Sequence, residues 1–275
     1  MDTQTNNEQL TNESNPDQDS YVYRWNSAQG PISITWNNPI QTSDLLHIDD
    51  QASQLLTNTQ QFLAGLPANN VLLWGSRGTG KSSLLQAIFN QFTGDKLYLI
   101  EIARNDFQNW PKMISWIQQQ ATKKFIIFCD DISFNKDDID FNFIKAALEG
   151  SLTSLPENAL IYATSNRRHL IPEKLADNQH AEHIDGEIHH NEAVEEAISL
   201  SDRFGLWLSF HALTQQQYLD IVKHWLNKFG INEEENSYRE VALRWALQRG
   251  SRSGRIANQF ARDYAGKQLL NKTEG

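Results

Sequence analysis

Gly75-Ser-Arg-Gly-Thr-Gly-Lys81-Ser82 satisfies every fixed position of the pattern G-x-x-x-x-G-K-[ST]. An apolar run, Val71-Leu-Leu-Trp74, precedes it, and a helical-looking run, Ser83-Leu-Leu-Gln-Ala-Ile-Phe89, follows. Strand, loop and helix in that order form a phosphate cradle. The glycines let the backbone curl so that successive N–H groups point inward at an anion. The start of the helix adds the positive end of its dipole. Lys81 then reaches the β- and γ-phosphates, and the Ser82 hydroxyl ligates Mg²⁺. Gly75, Ser76, Arg77, Gly78, Thr79, Gly80, Lys81, Ser82 and Ser83 are therefore the expected nucleotide contacts. The competing account, a glycine-rich turn that binds nothing, leaves the Lys-Ser pair and its flanks unexplained.

With 275 residues, 39% of them hydrophobic, the chain can bury a full core, with one large and one small domain expected. Residues 1–20 stand apart: they are polar and acidic, with no Lys or Arg. Such a stretch cannot bury enough apolar surface to offset its ordering entropy, so it reads as a disordered tail. It lacks the positive and apolar regions of a signal peptide, and no later run is long enough to cross a bilayer. The single cysteine, Cys129, rules out an intramolecular disulfide and fits a reducing cytoplasm. A formal charge of −10 argues against bulk non-specific nucleic-acid binding, while leaving room for a local basic patch.

Between Tyr21 and Pro39, aromatic and β-branched residues alternate with polar ones, which reads as an antiparallel arm turning at Gly30-Pro31. Gln51 to Leu63 reads as a helix. Five apolar runs then alternate with helical stretches: Val71–Trp74, Leu97–Ile102, Phe125–Cys129, Ala159–Ala163 and Leu206–Phe210. Strands alternating with helices imply an α/β fold, a mainly parallel sheet covered on both faces. The helix after the third run is expected to stop near Leu148-Glu-Gly150. Beyond Phe210 only helical patterns remain. One has an apolar face of Tyr218, Ile221, Val222, Trp225, Leu226 and Phe229. A second opens with the capping box Ser237-Tyr-Arg-Glu240, and a third runs from Gly254 to Tyr264. The expected division is thus an arm and helix over 21–66, a nucleotide-binding core over 67–211 and a small helical lid over 212–275.

Phe125-Ile-Ile-Phe-Cys-Asp130-Asp131 is an apolar strand ending in two carboxylates. Ligands bind at the C-terminal edge of a parallel sheet. There, Asp130 is expected to hold Mg²⁺ and Asp131 to orient or deprotonate the attacking water. Leu160-Ile-Tyr-Ala-Thr-Ser-Asn166 ends in a side chain with both a donor and an acceptor, suited to holding a water at the γ-phosphate.

This strand–loop, strand–acid pair and strand–Asn sequence resembles the AAA+ division of P-loop ATPases. The resemblance implies a five-stranded core in the order 5-1-4-3-2 with helices on both faces, a C-terminal helical lid, and ATP with Mg²⁺ as ligands. It makes Asn166 the sensor 1 residue. It also makes Ser201-Asp-Arg203-Phe-Gly205 the arginine-finger segment, and places sensor 2 in Arg249-Gly-Ser-Arg-Ser-Gly-Arg255-Ile-Ala, with Arg255 preferred. Three long phrases are closer still to one bacterial AAA+ family, domain of unknown function 815. They are Asn69–Ser83, Phe128-Cys-Asp-Asp-Ile-Ser-Phe134 and Ser199-Leu-Ser-Asp-Arg-Phe-Gly-Leu-Trp207. That similarity runs from about Ile32 to Ala265. One departure from the general AAA+ pattern stands out: Asp131 replaces the usual Glu, and the missing methylene argues for slow hydrolysis.

The alternative for Arg203 is a surface pair with Asp202, and for Arg255 a pair with Asp263. The histidines of segment 176–199 match no defined metal spacing and read as a solvated, partner-facing insertion. Cys129 reads as a small core residue. Phe107 and Trp110 are either pore-loop aromatics or side chains docked on the core. The leading functional reading is a cytoplasmic, homo-oligomeric ATPase, as a ring or partial ring, that remodels or assembles a protein client. A slow nucleotide switch is second. A DNA-directed motor using the arginines from Arg244 to Arg262 is third.

Overall fold

The computed structural model describes residues 21–92, 97–132, 144, 145, 147, 148, 155–166 and 203–273. Its sheet has seven strands: β1 (Val22–Asn26), β2 (Gly30–Ser33), β3 (Val71–Gly75), β4 (Leu97–Ile102), β5 (Lys124–Cys129), β6 (Ala159–Ser165) and β7 (Leu206–Phe210). They stand in the order β2-β1-β4-β5-β6-β3-β7. The five core strands follow the implied 5-1-4-3-2 order and are parallel throughout. The sheet is larger than the five strands expected, because the 21–39 arm joins it. β1 pairs parallel with β4, and β2 closes the edge antiparallel to β1. The hairpin turn also differs from expectation. Asn26 Oδ1 accepts from the backbone N–H groups of Ala28 and Gln29, so the chain reverses there, and Gly30-Pro31 begins the return strand.

Helices flank the sheet: α1 (Asp49–Leu63), α2 (Lys81–Phe92) and α3 (Trp110–Gln118). The strands are apolar on both faces, and their residues divide with period two. Leu72, Ile100, Ile127 and Ile161 pack with Trp110, Met113 and Ile117. Val71, Leu73, Leu99, Ile126 and Leu160 pack with Leu55, Phe62, Leu84, Leu85 and Ile88. Ile144, Lys145, Ala147 and Leu148 are helical, whereas Glu149 and Gly150 lie outside the described residues.

Three C-terminal helices, α4 (Gln215–Lys228), α5 (Glu235–Gln248) and α6 (Gly254–Thr273), share a third apolar cluster around Tyr218, Leu219, Val222, Ala242 and Phe260. Thr214 caps α4, exchanging hydrogen bonds with Gln217. The Ser237 capping box does not form. α5 starts earlier, at Glu235, and the Ser237 hydroxyl donates back to the Glu234 carbonyl from inside the helix. α6 runs nine residues past the expected end at Tyr264, to Thr273. Among the described residues no helix is long and apolar enough to cross a membrane.

Candidate active site

Because β3, β5 and β6 are parallel and adjacent, their C-terminal ends bring the phosphate loop, the acid pair and Asn166 to one edge. The loop leaves β3 pressed against β7. The Ser76 N–H donates to the Phe210 carbonyl at 3.0 Å, and a Cβ on Gly75 would lie 1.9 Å from that oxygen, so only glycine fits there. α2 opens at Lys81, whose ammonium is turned back into the loop. It donates to the carbonyls of Gly75 and Ser76, both at 2.8 Å, and to Asn166 Oδ1 at 3.1 Å. Only 7% of Lys81 is exposed. Burial pulls its pKa from 10.5 down to about 8, against the opposing pull of Asp131 and Asp130.

The remaining polar groups form one connected set. Ser82 Oγ donates to Asp130 Oδ1 at 2.7 Å, and Thr164 Oγ1 donates to the same oxygen at 2.6 Å. The Asp131 N–H donates to Thr164 Oγ1 at 2.8 Å. Asn166 spends its acceptor on Lys81, while its Nδ2 donates to Asp131 Oδ1. Asp131 adopts φ = +50°, a left-handed conformation uncommon outside glycine and found mostly at Asn and Asp. Ser82 and Asp130 present hard oxygens already in contact, a donor set that suits Mg²⁺.

A cavity of about 950 Å³ lies between this edge and the C-terminal helices. Arg77 to Ser83, Asp130, Asp131, Thr164 and Asn166 line its polar end. The N-terminus of α6 closes over the loop. A Cβ on Gly78 (φ +74°) would come within 2.8 Å of Ser253 Oγ, and Arg255 lines the cavity beside it. Asp263 pairs instead with Lys267 at 2.7 Å, which removes that alternative partner for Arg255. Beside Gly80, where an added Cβ would meet Ile48 Cδ1 at 3.7 Å and Leu45 Cδ2 at 3.9 Å, the lining turns apolar: Ile40, Leu45, Leu46 and Ile48 share the cavity with Ile221 and Trp225 of α4 and with Phe229 at its C-cap, a slot fit for a planar base. The 36–42 segment is strapped to α2 by Asn90. Its amide accepts from Trp36 Nε1 and donates to the carbonyls of Asn38 and Ile40.

Asp44 ties that segment to α4. Its side chain, 3% exposed, accepts from Lys228 Nζ, from His224 Nε2 at 3.2 Å and from the Gln41 N–H at 3.1 Å. Burial alone raises its pKa, but the hydrogen bonds from Lys228, Gln41 and His224 outweigh burial and hold it below the usual value. Asp44→Asn is expected to cost about 1–3 kcal/mol at pH 7, the lower range reflecting a half-exposed Lys228. A depressed carboxylate pKa contributes stability above its unfolded value and loses it as pH falls through the folded one. Urea unfolding in a His224→Gln background, with and without Asp44→Asn, should therefore show a constant gap in stability from pH 5 to 8, closing below about pH 4. A gap of the same size at every pH down to acid unfolding, or no gap at all, would show that the carboxylate's charge does not hold the tie.

Two expected contacts do not reach the cavity: Gly75 and Ser76 lie beneath it, where their carbonyls hold Lys81. Arg203, half-buried just before β7, does not line it either. Ser201, Asp202 and the His-rich segment 176–199 lie outside the described residues. Phe107 and Trp110 are buried and stacked on each other at 6.0 Å, so they dock on the core rather than project. Cys129 is buried, and desolvation pushes its thiol far above the range of a nucleophile.

The family model described as Protein of unknown function (DUF815) matches residues 18–268. The chain belongs to that family. Among solved structures, this DUF815 protein is similar to the Thermotoga maritima RuvB Holliday junction branch migration motor. That match has a TM-score of 0.54 at 15% identity and covers 85% of this chain and 67% of that one. An alanine-to-serine mutant of the same RuvB gives 0.56 at 15% identity over the same shares. At that identity the likeness establishes the fold, an AAA+ P-loop core with its helical appendage. No curated protein matches the chain.

Sequence reasoning missed the apolar lining of the site in this DUF815 protein. The 38–48 segment carries no periodic pattern, and Ile221, Trp225 and Phe229 were indistinguishable from the core residues sharing their stripe on α4. Thr164 was also missed. A hydroxyl residue directly after the apolar run Ala159–Ala163 was the one available signal.

Proposed function

We propose that this protein binds Mg-ATP in the cavity and hydrolyses it, coupling the cycle to movement of α4–α6 and so to remodelling or assembly of a protein client. The observation that carries the reading is the unbroken hydrogen-bonded set Ser82–Asp130–Thr164–Asp131–Asn166–Lys81 at the mouth of the phosphate loop. In this reading the triphosphate lies against residues 77–83 and draws Lys81 away from its own loop carbonyls. Ser82 and Asp130 would hold Mg²⁺, which supplies charge neutralisation across the phosphate oxygens. Asn166 and Asp131 hold the attacking water. Its oxygen bonds to the γ-phosphorus as the bond to the β–γ bridging oxygen breaks, and its proton passes to Asp131. Arg255 offsets negative charge from the lid side, and the apolar slot takes the base.

A slow switch is the second reading, supported by the short Asp131 and by its engagement with Asn166. A DNA-directed motor draws less support from the arginines. Arg244 pairs with Glu240, Arg249 stacks on Trp245, and Arg255 and Arg262 face the cavity, so the supposed strip is dispersed. Phosphate release from Mg-ATP, measured beside calorimetric ATP binding, tests the proposal. Turnover abolished by chelating Mg²⁺ is expected. Binding without turnover leaves the switch, and absence of both sinks both readings.

A further inference from the structure

We infer that Thr164 is a positioning residue that sets both carboxylates of the acid pair through one hydroxyl. The inference rests on the ATPase reading for its consequence, but not for its geometry. Thr164 is 2% exposed and pairs with Leu73 of β3. Its neighbour Ala163 pairs with Cys129 of β5, so Thr164 stands level with Asp130, the next residue along that chain. A buried hydroxyl needs partners, and this one uses both of its capacities.

The direction of each bond follows from the partners. A backbone N–H can only donate, so the hydroxyl accepts from Asp131 N at 2.8 Å. Its single proton is left for Asp130 Oδ1 at 2.6 Å. The Thr164 carbonyl then accepts from the Ile132 N–H at 2.8 Å. Two consecutive N–H groups after Asp130 are thereby fixed by one residue, and between them the backbone takes the left-handed turn at Asp131. That turn delivers the Asp131 carboxylate to Asn166 Nδ2. Thr164 and Asn166 are two apart along the end of one strand, so they fall on the same side, and each engages one acid of the pair. The brace answers a specific need. An aspartate where a longer acid is usual must be carried forward by its backbone, and the left-handed turn is the local means of doing so.

The test compares Thr164→Val, which keeps the shape and removes the hydroxyl, with Thr164→Ser, which keeps the hydroxyl. Amide hydrogen exchange at Asp131, read by NMR, addresses the brace directly. Exchange at least about tenfold faster in the valine variant, with serine close to the parent, is expected. In steady-state assays the valine variant should lose about 10–100-fold in kcat and need several-fold more Mg²⁺ for half-activity. Its affinity for a non-hydrolysable ATP analogue in chelator should stay within about twofold of the parent, and serine should restore kcat. Unchanged Asp131 exchange in Thr164→Val, or a serine variant no better than valine, overturns the inference. So does a valine variant that loses metal-free nucleotide binding as much as turnover, because that marks a general packing defect. A parent without turnover defeats the ATPase reading instead, and the exchange measurement still decides the brace.

Discussion

Lys81→Met should lower ATP turnover by at least about 10²–10³-fold, the scale for removing one preorganised charge from developing phosphate negative charge. It should do so without destabilising the fold. Lys81 is nearly buried, and its pKa is drawn from 10.5 to about 8, with burial as the main cause. A lysine whose folded pKa lies below its unfolded value binds its proton less tightly in the folded state. At pH 7 its charge therefore opposes folding. The carbonyls of Gly75 and Ser76 and the amide of Asn166 partly offset that cost. Methionine fills the same channel with no charge to bury. The thermal midpoint should then stay level or rise, by the equivalent of about 0.5–2 kcal/mol, as is usual when a strained functional group is removed. Loss of turnover together with a clear fall in midpoint would assign Lys81 a structural role in the loop. Retained turnover would remove the phosphate loop from the proposed chemistry altogether.

The parts of this fold that were legible in the sequence share one property: their signal is carried by neighbouring residues. The phosphate loop, the acid pair and the five apolar strands are contiguous, and each stands where its local pattern placed it. Partner choice is not local. Alternation marked β1 and β2 as strands, but nothing in Tyr21–Pro39 says that β1 lies beside β4. A capping box depends on which residue the helix leaves uncovered. Ser237 has the right spacing to Glu240, yet α5 had already begun at Glu235. The apolar slot is assembled from the 38–48 segment and one side of α4, two stretches about 180 residues apart, as the Asp44–His224 contact illustrates. On α4, Ile221 serves the helical core and the cavity alike, so a helical periodicity could not separate the two roles.

Arg203→Ala should lower turnover by about 10³-fold or more if Arg203 acts as a finger. Mixing it with Lys81→Met should bring activity back. Arg203 precedes β7, the edge strand of the sheet, and does not line its own chain's cavity. A guanidinium at that edge can serve a phosphate site only if the site belongs to a neighbour. In a head-to-tail assembly each interface joins one subunit's phosphate loop to the next subunit's finger. An interface in which an Arg203→Ala subunit supplies the loop and a Lys81→Met subunit supplies the finger is intact. Random assembly of equal amounts makes roughly a quarter of interfaces intact, so recovery should approach that share of parental turnover. Lysine at position 203 should not substitute, because a point charge lacks the planar fork that grips phosphate oxygens in pairs. Two variants that co-assemble by size-exclusion chromatography yet stay inactive together would place Arg203 in cis, most simply holding the approach to β7. In that case the edge of the sheet carries no composite site.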